Sequence, residues 1–183
     1  MGARCDSRGV EDLSTAPRRL VLLRHAKAEH GGEIADHLRP LSLVGRRQAA
    51  GVGATLQAAS VIPELVLCSS SLRTRQTWDL VRSSLGAQPT VEIGDALYSA
   101  GVRALLDVVR AVPSDVRTVL LVGHEPAVSE SAATLAGPGS DEPCLARVRV
   151  GMPTGSYSVL ETDVDWAQLE PDGARLVRLV TPA

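Results

Sequence analysis

Three short clusters in the sequence carry side chains able to do chemistry: Arg24-His25, Ser70-Ser71-Leu72-Arg73, and Gly123-His124-Glu125. An imidazole can attack phosphorus, and guanidinium forks neutralise and orient the oxygens of a phosphoryl group. Two histidines and two arginines on one rim therefore suit the handling of a phosphate. Arg24 and Arg73 also disfavour protonation of His25, so that more of it stays neutral, with a free lone pair, at physiological pH. Ser70 and Arg39 are candidates for substrate or auxiliary phosphate contacts. Glu125 is either a proton donor or a carboxylate that is solvated or paired with an arginine.

Each cluster follows an apolar run. Leu20-Val21-Leu22-Leu23, Leu65-Val66-Leu67-Cys68 and Thr118-Val119-Leu120-Leu121-Val122 are short and uninterrupted, as in strands buried on both faces of a parallel sheet. Helical spacing follows over residues 41–58 with Ser42 as N-cap, from the Ser69-Ser70-Ser71 caps to about Arg82, over about 102–112, and again after Pro126. A further strand is expected over 90–93. After Gly137-Pro138-Gly139 the runs 144–150, 156–160 and 174–180 read as three strands without a long helix, added antiparallel at a sheet edge. The expected fold is α/β, a mainly parallel sheet covered on both faces. In such sheets ligands bind at the carboxyl ends of the strands, where all three clusters stand. Residues 1–18 lack periodicity and read as a mobile extension, with a single domain over 19–183.

Composition narrows the field. The chain has 183 residues and a net charge of −2, so there is no basic stripe for nucleic acid and little general attraction to anionic membranes. Aromatic residues make up 2% and Phe is absent, which leaves no stacking platform for bases. Three scattered cysteines form neither a disulfide framework nor a zinc knuckle, and no run reaches transmembrane length, so a cytoplasmic location is expected. His30 and His37, with Glu33 and Asp36 nearby, match no metal-ligand spacing and read as a solvated loop. Gly51-Val52-Gly53 falls inside a helical pattern and is no dinucleotide fingerprint.

The motifs resemble those of the histidine phosphatase (phosphoglycerate-mutase-like) superfamily, in its small bacterial phosphohistidine phosphatase branch. Leu22-Leu23-Arg24-His25-Ala26 is similar to that family's strand-ending Arg-His motif, with Ala where Gly is more usual. Ser69 to Thr77 is similar to its Ser-rich turn followed by Arg-Thr and a downstream Thr, and Val122-Gly123-His124-Glu125-Pro126 to its second histidine motif. Arg39-Pro40-Leu41, Ala96-Leu97-Tyr98 and Pro153 to Ser156 also recur there. The resemblance implies a three-layer α/β/α sandwich, no metal and no organic cofactor. It also implies a phosphohistidine intermediate on His25, with Arg24 and Arg73 on the phosphate beside His124. Larger relatives place an Asp after the second His or a Glu on a separate loop, whereas here Glu125 follows His124. A weak acid and no long inserted cap favour phosphohistidine in a protein as substrate. A small phosphorylated metabolite, a mutase reaction and a non-catalytic phosphate-binding module are the alternatives.

Overall fold

The computed structural model describes residues 16–182. Six strands form one sheet in the order β3-β2-β4-β1-β5-β6. They are β1 (Arg18–Arg24), β2 (Leu65–Ser69), β3 (Thr90–Gly94), β4 (Thr118–Gly123), β5 (Tyr157–Thr162) and β6 (Arg175–Val180). The first four pair parallel, and β5 and β6 are added antiparallel at one side.

Because side chains alternate across a strand, β1 sends Leu20 and Leu22 to one face and Val21 and Leu23 to the other, all at most 2% exposed. Two cores result. Val21, Leu23, Val66, Leu120 and Val122 pack under helices α1 (Leu43–Ala58) and α2 (Leu72–Leu85). Leu20, Leu22, Leu67, Leu121 and Leu160 pack under α3 (Val102–Arg110), α4 (Ala127–Leu135) and α5 (Glu142–Val150). This is the expected α/β/α sandwich with antiparallel edge additions. Each fully buried Leu or Val contributes about 1.5–3 kcal/mol before the entropy of ordering it is subtracted.

The caps place the helix starts. Ser42 Oγ accepts from the Gly45 N–H at 3.1 Å, opening α1, and Ser71 Oγ accepts from the Thr74 N–H at 3.4 Å, opening α2. Gly45 also lets α1 approach the loop after β1, since a Cβ there would lie 2.0 Å from the Lys27 carbonyl oxygen.

Two expectations need correction. Residues 144–150 lie in helix α5, not in a strand. Arg147, Val148, Arg149 and Val150 alternate in polarity as a strand would, but Asp141 Oδ1 caps the Cys144 N–H at 2.8 Å and Pro143 sits in the first turn. The helix buries Leu145 and Val148, three apart, and leaves Val150 89% exposed. Of the extension expected over 1–18, residues 1–15 lie outside the described residues. Arg18 already opens β1 and binds Asp165 at 3.0 Å.

Candidate active site

Parallel pairing of β1 with β4 sets Arg24 beside Gly123, and β2 against β4 sets Cys68 beside Val122. The residues that follow are therefore delivered to one rim. The His25 N–H donates to the Gly123 carbonyl at 3.0 Å, and the rings of His25 and His124 come to 5.2 Å between centroids.

His25 is the candidate nucleophile on the rim. Its Nδ1 lies 2.8 Å from the Ala26 carbonyl, a partner that can only accept, so Nδ1 carries the proton and Nε2 keeps its lone pair. Burial, reinforced by the charges of Arg73, Arg24 and Arg39, pushes its pKa down to about 4, against the opposing pull of the Ala26 carbonyl. The loop is held from three sides. The Gly155 N–H donates to the His25 carbonyl at 3.0 Å, and Gln48 Oε1 accepts from the Lys27 N–H at 2.9 Å. Thr77 Oγ1 accepts from the Ala26 N–H at 3.0 Å while donating to the Arg73 carbonyl at 2.7 Å, which ties the His25 loop to α2.

His124 is held differently. Its Nε2 lies 2.9 Å from Ser69 Oγ and its Nδ1 3.4 Å from Arg73 Nη2. Because an arginine can only donate, Nδ1 is the acceptor and Nε2 carries the hydrogen toward Ser69. Burial first, then the charges of His25 and Arg73, push its pKa down to about 3. This ring is neutral at physiological pH.

Arg73 is buried at 7% exposure in the first turn of α2. Its Nη1 donates to the Asp36 carbonyl at 2.7 Å and its Nη2 to Asp36 Oδ2 at 3.0 Å. The same carboxylate accepts from the Tyr98 hydroxyl at 2.7 Å and from Arg39 at 2.9 Å. These three donors, Tyr98 foremost, hold Asp36 well below the usual carboxylate range. The loop read as merely solvated is thus part of the site: His37 Nε2 lies 3.0 Å from Ser70 Oγ, and its ring meets the edge of Tyr98 at 4.9 Å. Tyr98 in turn packs against His124 at 5.6 Å. Asp36, His37 and Tyr98 carry no local sequence signal as site residues beyond the resemblance of Ala96-Leu97-Tyr98 to a recurring family segment.

The remaining candidates divide. Arg24 Nη1 donates to the Met152 carbonyl at 2.5 Å, while its buried Nε finds no hydrogen-bond partner among the described residues. Ser70 lies on the rim, bound to His37. Arg39 spends its donors on Asp36 and the Glu29 carbonyl, so it reaches His25 through its charge rather than by contact. Glu125 has both carboxylate oxygens engaged, one by the Met152 N–H at 2.9 Å and the other by the Ser129 hydroxyl. It braces the segment that carries the Met152 carbonyl to Arg24.

The arrangement gives a neutral imidazole with a free Nε2 and two guanidinium groups to meet an anion. The model of the histidine phosphatase superfamily (branch 1) matches residues 20–98. An uncharacterized protein of Mycobacterium tuberculosis, Rv1276c, is 35% identical over 161 residues, covering 87% of this chain and 99% of its own. Among solved structures, the candidate phosphohistidine phosphatase SixA of Nakamurella multipartitia is 35% identical with a TM-score of 0.79, covering 91% of this chain and 97% of that one. The corresponding protein of Agrobacterium tumefaciens is 28% identical with a TM-score of 0.75, covering 91% of this chain and 99% of that one. With its motifs in family order and its fold shared along nearly the whole described length, the chain belongs to the histidine phosphatase superfamily, among its small SixA-like members, and is a phosphatase of that family.

Proposed function

We propose that the protein is a metal-independent phosphatase that works through a phosphohistidine on His25 and acts on phosphohistidine in a phosphorylated protein. The observation that carries this reading is the Nδ1–H of His25 donated to the Ala26 carbonyl, which leaves a neutral Nε2 with its lone pair within the field of Arg73 and Arg24.

The Nε2 lone pair attacks phosphorus while the bond to the leaving group breaks in line, on the side away from His25. Arg73 and Arg24 bind the equatorial oxygens, and the charge of the phosphoryl group offsets the excess of guanidinium. Water then displaces phosphate from His25 and restores the free imidazole. Support for a protein substrate comes from the rim itself. The 30–41 loop carries Ile34 and Leu38 at 48% and 55% exposure, apolar side chains suited to another protein's surface rather than to a small anion.

Incubation with an aryl phosphate and rapid quenching tests the mechanism. A trapped phosphoenzyme is expected to be acid-labile and alkali-stable, and to be absent in His25→Ala. Turnover should survive chelator. Loss of activity with chelator, or retention in His25→Ala, would overturn it. Phosphate release from a histidine-phosphorylated phosphocarrier protein, compared with sugar phosphates and phosphoglycerate, tests the substrate. A preference for the small metabolites refutes the protein reading.

A further inference from the structure

An in-line displacement from His25 pushes the leaving group toward the mouth of the pocket, and a poor leaving group must take up a proton there. The obvious donors are committed elsewhere. His124 is neutral, with its Nε2 hydrogen turned to Ser69 and its Nδ1 facing Arg73. Glu125 is engaged at both oxygens, and the Tyr98 hydroxyl is given to Asp36.

His37 stands apart from these. It is half-buried on the exposed 30–41 loop, and its Nε2 lies 3.0 Å from the hydroxyl of Ser70, itself half-buried on the rim beside Arg73. Tyr98 holds the ring by its edge. The charged and polar groups around His37 come from several elements: Asp36 beside it on the loop, which binds Arg73 of α2, Tyr98 after β3 at its ring edge, and His124 after β4.

Resting on the His25 mechanism proposed above, we infer that His37 and Ser70 form the proton-donating pair for the leaving group. In the first half-reaction the bond from His25 Nε2 to phosphorus forms and the bond from phosphorus to the leaving atom breaks. The electron pair goes to the leaving atom, which takes the Ser70 hydroxyl proton as Ser70 takes the Nε2 proton of the His37 imidazolium. In the second, water forms its bond to phosphorus and gives a proton through Ser70 to His37, while the phosphorus–nitrogen pair returns to His25. The sum is substrate plus water giving phosphate plus the protonated leaving group. Ser70 touches the reacting atoms, and His37 acts through it. A site that supplies a proton at its mouth accepts leaving groups that cannot depart as anions, and this replaces the weak acid expected from the sequence.

The test compares two esters that differ in their need for a proton. For His37→Gln, which keeps a hydrogen-bonding group near Ser70 but carries no transferable proton, kcat/KM on phenyl phosphate, which reports phosphoenzyme formation alone, should fall about 100-fold or more. On 2,4-dinitrophenyl phosphate, whose phenolate leaves unaided, the fall should stay within about threefold. Ser70→Ala should reproduce that selectivity. The pH profile of wild-type kcat/KM on phenyl phosphate should fall on its basic side, and the variant should lack that limb. Equal losses on both esters, or no loss on phenyl phosphate in either variant, would overturn the assignment. Phosphoenzyme formation from the dinitrophenyl ester should persist in His37→Gln. If the wild-type protein itself forms none, the His25 mechanism fails instead, so the two failures are distinguishable.

Discussion

Mild acid should weaken the fold specifically through the two histidines of the site. In the unfolded chain an imidazole takes up its proton near pH 6.5, whereas burial and the neighbouring arginines keep folded His25 neutral down to about 4. Between those values the unfolded state binds more protons than the native one. Stability therefore falls as the pH falls through this window and is regained as it rises. The displacement of His25 corresponds to about 3 kcal/mol at full expression, reduced to about 2 kcal/mol by the solvent that still reaches the ring. His124, held down to about 3 but more open to water, adds a smaller effect of the same sign. Urea unfolding at constant ionic strength, from pH 7 to pH 4.5, would measure this for the wild type and for the double variant His25→Gln/His124→Gln. Glutamine does not titrate, so the wild type should lose about 2 kcal/mol more than the variant across that range. Equal losses in the two proteins would refute the account of how His25 is kept neutral.

Three other outcomes are expected. Asp36→Asn removes the charge that holds Arg73, Arg39 and Tyr98 together, and kcat/KM on an aryl phosphate should drop about tenfold with little change in melting temperature, because the side chain is exposed. Thr77→Val keeps the shape but strands the buried Ala26 N–H, so thermal unfolding should show a loss of about 1–3 kcal/mol, accompanied by slower phosphoenzyme formation. Two glycines of α1 should respond with opposite signs. Gly45→Ala drives a Cβ into the Lys27 carbonyl and should destabilise by about 2 kcal/mol or more, whereas Gly51→Ala meets nothing within 4 Å and should stabilise by about 0.5–1 kcal/mol. Chemical denaturation of both variants checks this pair.

What was legible in the sequence was whatever is set locally. Leu20-Val21-Leu22-Leu23 ending in Arg24-His25 announces a buried strand delivering side chains to a rim, and Ser42 and Ser71 announce helix starts, as the fold bears out. Local signals also competed. Around Arg147 to Val150 the alternation in polarity pointed to a strand, and Asp141 with Pro143 pointed correctly to a helix. The arrangement around Arg73 was beyond local reading. Asp36, His37 and Tyr98 lie on two loops far apart in the chain, and only the placement of β3 beside β2 brings Tyr98 to the Asp36 carboxylate. Glu125 was conspicuous by its place after His124, yet its direction depends on where Met152 and Ser129 come to rest.

The bond from Arg24 to the Met152 carbonyl spans 128 residues of sequence. By the time His124 has emerged from the ribosome, every histidine and arginine assigned to the phosphate exists, yet Arg24 has nothing to brace against and the His25 loop lacks the Gly155 N–H that fastens its carbonyl. The bracing of the site is therefore a property of the finished chain. A nascent fragment long enough to contain the whole chemical inventory would still lack the Met152 carbonyl under Arg24 and the Gly155 N–H on the His25 loop, so the last third of the protein, which contributes no reacting group, acts as the catch that fastens the site.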